Sequence, residues 1–596
     1  MKPTDVGTPD YLHKVVDCQW ACPAHTPVPE YIRLIAAGRY DDAYLINWKS
    51  NVFPGILGRT CDRPCEPACR RGRVEAEPVA ICRLKRVAAD YRQGDVRARF
   101  PKVPTVKNGK RVALIGAGPA SLTVARDLLP LGYQVVVYDG EAKGGGMMRS
   151  QIPRFRLPDA VLDEEVGYIL DMGVETRFGT WVGSLKAVLE EGYDAVFVGT
   201  GAPRGRDVDV PGRREAAANI HIGIDWLASV SFGHTSRIGK RVIVLGGGNT
   251  AMDCCRTARR LGGEDVAVVV RSGFEEMKAS PWEKEDAMHE GIPIHNYLMP
   301  KAFTHADGTL TGVVFEKVEA KYDDRGRRSL VPTGEPDVTM ECDDVLVAIG
   351  QDNAFPWIER DIGIDFDRWG LPVVDKVTFQ STLPKVFFGG DAAFGPKNII
   401  TAVAHGHEAA ISIDAFCQGA DLRDRPPPAV TLISQKMGLH EWSYDNDISN
   451  DARHKVPLRD TAAALKDVRA EVELGFDVKR AWDEAQRCLN CDVQTAFTTN
   501  LCIECDACLD ICPMDCLTIT QNGEEAELRT RLKAPAANLD QAIYVSDALK
   551  TGRVMVKDED VCLHCGLCAE RCPTGAWDMQ KFFLDMSYAG AACHSR

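Results

Sequence analysis

The chain has 596 residues, 45% of them hydrophobic, enough for three or four domains that each bury a core of their own. Its formal net charge of −14 argues against nucleic acid, which needs clustered Lys and Arg, and no run of 18 or more apolar residues offers a membrane span. The opening residues MKPTDVGTPDYLHK lack a signal-peptide pattern, so a cytoplasmic location is expected, and the 22 cysteines read as cofactor ligands instead of disulfides.

In chain order, the first predicted domain, residues 1–104, holds Cys18, Cys22, Cys61, Cys65, Cys69 and Cys82. Six thiols do not complete two four-ligand sites. A matching pair lies far downstream, Cys488 and Cys491 in EAQRCLNCDV, and eight thiolates would ligate two [4Fe–4S] cubes. The competing readings are a single N-terminal cluster, or zinc or a redox-active pair at Cys488 and Cys491.

From Arg111 the sequence RVALIGAGPASLTVARDLLPLGYQVVVYD reads as strand, glycine turn, helix and second strand, a dinucleotide-binding unit within residues 105–237. Gly116 permits the tight turn. Gly118 lets the backbone approach a pyrophosphate where Pro119 and Ala120 begin the helix, and Asp139 can accept hydrogen bonds from a ribose. Ser121 stands where the fingerprint has its third glycine. Residues 238–340 repeat the unit as RVIVLGGGNTAMDCCRTARRLGGEDVAVVVRS, with Gly246, Gly248 and Ala251 in the fingerprint positions and Asn249 and Thr250 between them. No acid ends its second strand. Arg271 is there, followed by Ser272 and, further on, Lys278, which leans the choice from NAD(H) towards the 2′-phosphate of NADP(H). Cys254 and Cys255 do not form the CxxC of a thiol–disulfide exchanger. His405 and His407 are expected as hydrogen-bonding residues of a flavin-side helix. KYDDRGRR, at Lys321 to Arg328, reads as a solvated hairpin.

Residues 341–418 return to the first nucleotide fold, and 419–495 form a polar connector that carries Cys488 and Cys491 back to the N-terminal domain. In residues 496–596 the run C-x2-C-x2-C-x3-C-P occurs twice, at Cys502, Cys505, Cys508 and Cys512 and at Cys562, Cys565, Cys568 and Cys572. Three closely spaced thiolates on one loop reach three corners of a cube, while the fourth, carried off by the following helix, reaches the other cube. One cluster is therefore assigned to Cys502, Cys505, Cys508 and Cys572, the other to Cys562, Cys565, Cys568 and Cys512. Cys516 is expected as a buried thiol outside the pattern, and the stretch Glu524 to Asp558 as a surface insertion. Cys254, Cys255, Cys342, Cys417 and Cys593 have no ligand spacing.

Three separated segments, the loop at Gly116, GGGMMRSQIPRFRLP at Gly144 to Pro158 and VFFGGDAAFG at Val386 to Gly395, resemble the FAD contacts of one flavoenzyme family. Insertion of the second nucleotide unit between them resembles the two-dinucleotide, disulfide-reductase-like fold. The cysteines resemble those of the small subunit of bacterial glutamate synthase and the N-terminal half of dihydropyrimidine dehydrogenase. The resemblance implies a helical N-terminal domain with two [4Fe–4S] clusters, one on Cys22, Cys61, Cys65 and Cys82, the other on Cys18, Cys69, Cys488 and Cys491. In that family the RCxxC segment precedes the C-x3-C; here RCLNC follows it by about 470 residues. FAD would be held by Gly116, Gly118, Pro119, Ala120, Asp139, Gly145, Gly146, Met147, Arg156, Gly390 and Asp391, with Asp391 on the ribityl chain.

The expected architecture is multidomain: an α-helical iron–sulfur domain, two Rossmann-like α/β dinucleotide-binding domains, and an α+β bacterial two-cluster ferredoxin-like domain. The expected function is that of an FAD-dependent NAD(P)H oxidoreductase subunit with four [4Fe–4S] clusters and no catalytic side chain of its own. It would pass electrons to or from a ferredoxin or a catalytic redox subunit, such as a 2-oxoacid:ferredoxin oxidoreductase, in a hetero-oligomeric complex. The alternatives are an electron-relay or assembly subunit with a silent nucleotide site, and a free-standing reductase of a small molecule.

Overall fold

The computed structural model describes residues 1–12, 16–75, 77–425, 427–434 and 449–590. It divides into two compact units, one of residues 1–100, 424–456 and 475–596, the other of residues 101–423 and 457–474.

The first unit begins with a helical domain. Helix Val28–Ala36 buries Val28, Tyr31, Ile32 and Ile35, the spacing of one helical face, whereas helix Ile81–Asp90 is buried on all sides from Ile81 to Ala89, with Ile81, Leu84, Val87 and Ala88 as its apolar stripe. Helix Pro54–Thr60 lies so close to Ile81–Asp90 that a Cβ at Gly58 would come 2.6 Å from the Arg86 Cα. The late segment Val478–Ala485 is capped by Asp477, whose carboxylate accepts from the Arg480 N–H at 2.7 Å, and buries Ala481 and Ala485 in the core shared with the first two helices. Glu484 accepts from the Ala80 N–H at 2.8 Å, at the start of Ile81–Asp90, and Arg33 donates to Asp492 at 2.7 Å.

In the same unit, strand Trp577–Asp585 pairs antiparallel with Val493–Phe497 on one edge and Ala429–Ser434 on the other. Strand Arg553–Lys557 lies between Leu517–Gln521 and Tyr544–Val545. This corrects the expected surface insertion: Leu528, Ile543, Val545, Val554 and Val556 make a small core, and the end of the stretch is a central strand. Helices Ala507–Ile511 and Leu567–Arg571 each carry the third cysteine of a run and end at the fourth.

The second unit contains two parallel sheets. The first runs Val386–Phe388, Ala195–Val198, Arg111–Ile115, Gln134–Asp139, Glu175–Phe178; the second runs Ile220–Ile222, Asp344–Val347, Arg241–Leu245, Asp265–Val269, Ile294–His295. Inner strands Ala195–Val198 and Asp344–Val347 are buried along their whole length, and apolar except for Asp344, because both faces are covered. An antiparallel sheet, Leu298–Ala306, Thr309–Tyr322, Arg328–Pro332 and Val338–Glu341, is inserted between strands Ile294–His295 and Asp344–Val347 of the second parallel sheet, and its exposed turn at Asp323 to Arg327 is the expected hairpin. The second fold starts before the expected boundary at 237/238 and ends beyond 340/341, because Asp344–Val347 pairs with both Ile220–Ile222 and Arg241–Leu245. The connector is also not one piece: residues 457–474 belong to this unit, where the Val472 N–H donates to the Phe155 carbonyl at 3.0 Å. Among the described residues no helix is long and apolar enough to cross a membrane.

Candidate cofactor sites

The structure brings the cysteines together in four groups. Burial pushes the Cys18 thiol well up, and Cys69, Cys491 and Cys488 beside it push it further. Cys488 is pushed up to about 12 by burial, with Cys69 again a neighbour. In the second group burial raises Cys61 to about 12 against the opposing pull of the Lys85 ammonium, with Cys82 and Cys22 adding to the rise; Cys65 has Lys85, Cys61 and Cys22 as neighbours. Crowded buried thiols stay protonated by themselves, and a cationic cluster that displaces their protons is the group such a donor set fits.

The remaining groups exchange cysteines between the two runs. Cys512 lines one cavity with Cys562, Cys565 and Cys568, while Cys502 has Cys572 and Cys505 as neighbours. Cys516 was set apart by spacing, and the structure keeps it buried but lining the same cavity, its Sγ 3.6 Å from that of Cys512. Cys254 and Cys255 are packing residues of the second nucleotide fold, as expected. Cys593 lies outside the described residues.

One local device recurs in all four groups. Two residues after the first cysteine of each short run, a residue other than glycine takes a positive φ: Arg63 (56°), Asn490 (50°), Glu504 (57°) and His564 (55°). The turn aims a backbone N–H back at the sulfur, at 3.4 Å from Arg63 to Cys61, from Glu504 to Cys502 and from His564 to Cys562, and likewise from Asn490 to Cys488. Left-handed backbone is costly for residues with a side chain, and N–H donors around a sulfur stabilise it as a thiolate.

In the second unit three distant segments converge on the start of helix Pro119–Leu128. Gly116 has φ +92°, and a Cβ there would lie 2.7 Å from the Gly199 carbonyl oxygen. A Cβ on Gly146 would come within 2.8 Å of the Gly118 Cα, and one on Gly390 within 3.3 Å of the Ala120 Cβ. Gly145 sits beside Gly146 with φ +128°, and Met147 opens the short helix Met147–Ser150. In contrast, a Cβ on Gly118 would meet only the Gly199 oxygen, at 3.9 Å, so the helix start faces an open cradle of the kind a pyrophosphate fills. Ser121 is packed against Gly199 and supplies the close helix–strand approach of a third glycine. Asp139 accepts from the Ala117 N–H at 2.7 Å and the Glu141 N–H at 2.9 Å; burial nevertheless holds its carboxyl above the usual range. Burial does the same to Asp391, which accepts from the Lys397 N–H at 2.9 Å.

Among the buried polar atoms of this unit that lack a partner among the described residues are Thr200 Oγ1, Gln351 Oε1 and His405 Nδ1. Thr200 adjoins the turn at Gly116, and His405 adjoins Gly389. Orphaned polar atoms beside an open glycine cradle fit a large polar cofactor such as FAD. The two histidines thus differ. His407 Nδ1 pairs with Asp127 at 2.5 Å, whereas burial lowers His405 to about 4, keeping it neutral. Arg156 also departs from expectation: its guanidinium is committed to Asp253, at 2.6 Å, and to Glu283, both in the second nucleotide fold.

The second glycine loop repeats the cradle. Gly246 has φ +140°, with its would-be Cβ 2.2 Å from the Ala348 carbonyl oxygen, while Gly248 has nothing within 4 Å of its would-be Cβ. Helix Asn249–Arg260 follows, with Thr250 in its first turn and Ala251 buried. At the end of strand Asp265–Val269, Arg271 and Lys278 are exposed, and neither pairs with a carboxylate among the described residues. Ser272 between them uses its carbonyl to accept from Asn296 Nδ2 at 2.8 Å.

Residues 110–406 match the pyridine nucleotide-disulphide oxidoreductase family, residues 13–96 match dihydropyrimidine dehydrogenase domain II with its 4Fe-4S cluster, and residues 501–576 match the 4Fe-4S dicluster domain. The chain is 35% identical to the NADP(+)-dependent formate dehydrogenase subunit beta of Moorella thermoacetica over 80% of this chain and 70% of that one. It is 33% identical to the glutamate synthase [NADPH] small chain of Azospirillum brasilense over 67% of this chain and 86% of that one. The chain belongs to the glutamate synthase small-chain family of iron–sulfur flavoproteins. As a member of that family it is an oxidoreductase of FAD, a nicotinamide nucleotide and [4Fe–4S] clusters, with a ferredoxin-like domain at the C-terminal end of the matched region. Other relatives of this small-chain-like oxidoreductase include the NADPH-Fe(3+) oxidoreductase subunit beta of Geobacter sulfurreducens, 32% identical over 82% of this chain and 77% of that one. Among solved structures, Mycobacterium tuberculosis FprA in complex with NADPH matches with a TM-score of 0.45 at 17% identity, covering 52% of this chain and 84% of that one.

Proposed function

We propose that this chain is the electron-transfer subunit of a larger redox complex, moving electrons between NADP(H) and a catalytic partner subunit or a ferredoxin. The observation that carries the proposal is the gathering of sixteen cysteines into four groups built on the same N–H-to-sulfur turn. In this reading Cys22, Cys61, Cys65 and Cys82 hold one cluster and Cys18, Cys69, Cys488 and Cys491 a second. Cys502, Cys505, Cys508 and Cys572 hold a third, and Cys512, Cys562, Cys565 and Cys568 a fourth. FAD, when bound, accepts two electrons as hydride and releases them singly to one-electron carriers.

The chain's own residues then have defined work. Gly118 and Gly146 leave the space for the flavin pyrophosphate, Asp139 takes a ribose, and Asp391 takes the flavin side chain. Gly248 opens the second cradle to the nicotinamide nucleotide. The free cations Arg271 and Lys278 support a 2′-phosphate, in keeping with relatives named for NADP and NADPH. The relatives named as beta subunits support a partner chain.

Anaerobic titration of the purified holoprotein with NADPH and with NADH tests the proposal. Flavin bleaching by NADPH at lower concentration than by NADH is expected. No bleaching by either nucleotide would leave a relay subunit with a silent nucleotide site.

A further inference from the structure

Among the buried cations of the first unit, Arg70 stands between two of the cysteine groups. Its backbone follows directly on Cys69. Its side chain is 2% exposed. Nη1 donates to the Cys562 carbonyl at 2.9 Å and to the Glu559 carbonyl, and Nε donates to Asp17, the residue before Cys18, at 3.0 Å. Cys491 and Cys562 both lie within its electrostatic reach, and Nη2 is buried with no partner among the described residues. A guanidinium removed from water is normally satisfied by carboxylates on all sides. This one has a single carboxylate hydrogen-bonded to it, that of Asp17, and spends its Nη1 on the backbone of a cysteine loop.

We propose that Arg70 is the bridge for electron transfer between the Cys18/Cys69/Cys488/Cys491 cluster and the Cys512/Cys562/Cys565/Cys568 cluster. The inference rests on the ligand sets of the proposed function. The connection is short and continuous: from Cys69 through one peptide bond to Arg70, along its side chain, across one hydrogen bond to the Cys562 carbonyl, and so to the Cys562 sulfur. A single electron leaves the first cluster, which is oxidised, and reduces the second. No bond is made or broken and no proton moves, because arginine stays protonated throughout. The reduced nicotinamide nucleotide of the proposed function is the electron source.

Arg73 provides the control for simple stapling. It reaches the same loop, donating to the Asp560 carbonyl at 2.6 Å and to Asp17 at 3.1 Å, but it is bonded to no cysteine. Fastening the loop to Asp17 is a role the two arginines share, although 38% of the Arg73 side chain is exposed against 1% of that of Arg70.

The test uses the full holoprotein carrying Arg70→Met or Arg73→Met. Iron content is measured, flavin reduction by NADPH is followed by stopped flow, and cluster reduction by freeze-quench EPR. Arg70→Met is expected to keep its iron and its rate of flavin reduction while the C-terminal clusters fill about tenfold more slowly, the scale of losing one charge-assisted hydrogen bond. Arg73→Met should fill them at the wild-type rate. Wild-type filling in an iron-replete Arg70→Met protein overturns the proposal, as does equal slowing in both variants. If Arg70→Met loses iron, Arg70→Gln, which stays polar but is too short to reach the Cys562 carbonyl, takes its place with the same criterion. A wild-type iron content short of four clusters would mean that the ligand sets themselves are wrong, an outcome visible before any variant is made.

Discussion

Replacing Gly248 with aspartate separates the second glycine loop's two tasks, folding and phosphate approach. Gly248 has φ −104° and ψ 174°, extended backbone open to any residue, and its would-be Cβ meets nothing within 4 Å. The new side chain therefore adds no strain. As the N-cap of helix Asn249–Arg260 it would even favour the nucleotide-free protein, by about 0.3–1 kcal/mol through the helix dipole. A carboxylate about 4 Å from a phosphate charge is repelled by roughly 4 kcal/mol at an effective dielectric of 20, close to a thousandfold in affinity. Gly248→Asp should thus bind FAD fully, melt no lower than wild type and need roughly a thousandfold more NADPH to bleach its flavin. Anaerobic titration with FAD content and melting measured in parallel reads all three. Bleaching within a few-fold of the wild-type NADPH concentration, or loss of FAD, would refute the assignment of this loop to the nicotinamide nucleotide. Gly246→Asp is the contrast, since its Cβ would fall 2.2 Å from the Ala348 carbonyl oxygen and disrupt the fold itself.

Cys488→Ser should lower iron from about sixteen to about twelve atoms per chain while the EPR signals of the two ferredoxin-type clusters persist; unchanged iron would return Cys488 to a packing role. Cys516→Ala should keep about sixteen irons, because this cysteine lies beside a complete set instead of in it, and a loss of four would make it a ligand. The double change Arg271→Ala with Lys278→Ala should raise the KM for NADPH by about tenfold or more and leave that for NADH nearly unchanged; equal effects on both would remove the 2′-phosphate contact.

The cysteine runs and glycine loops could be read directly because their chemistry is local: a cube edge or a pyrophosphate constrains residues a few positions apart. Features set by distant partners could not. Ile220–Ile222 is three residues long and becomes a sheet strand only through Asp344–Val347, more than a hundred residues later. Arg156 reads as a flavin contact in its own segment, but its carboxylates lie 97 and 127 residues away. Strand Arg553–Lys557 was hidden by polar flanks, although the short apolar run Val554, Met555 and Val556 is consistent with a buried strand. The positive-φ turns left no compositional mark, since Arg63, Asn490, Glu504 and His564 share no chemistry except the N–H group they aim at sulfur.

The return of Val478–Ala485 to the first helices has a consequence in time. Cys18 and Cys69 leave the ribosome about 420–470 residues before Cys488, an interval of roughly 20–90 s at ordinary elongation rates. Throughout it their intended partners do not exist, and neither does Glu484, whose carboxylate meets the Ala80 N–H at the start of helix Ile81–Asp90. On the proposed ligand sets, the earliest thiols to emerge are therefore among the last to receive iron. Until then a growing chain carries a half-built site open to oxidants and stray metal ions, so the yield of loaded protein should depend more on anaerobic growth and on slow, late iron delivery than on the rate at which chains are made.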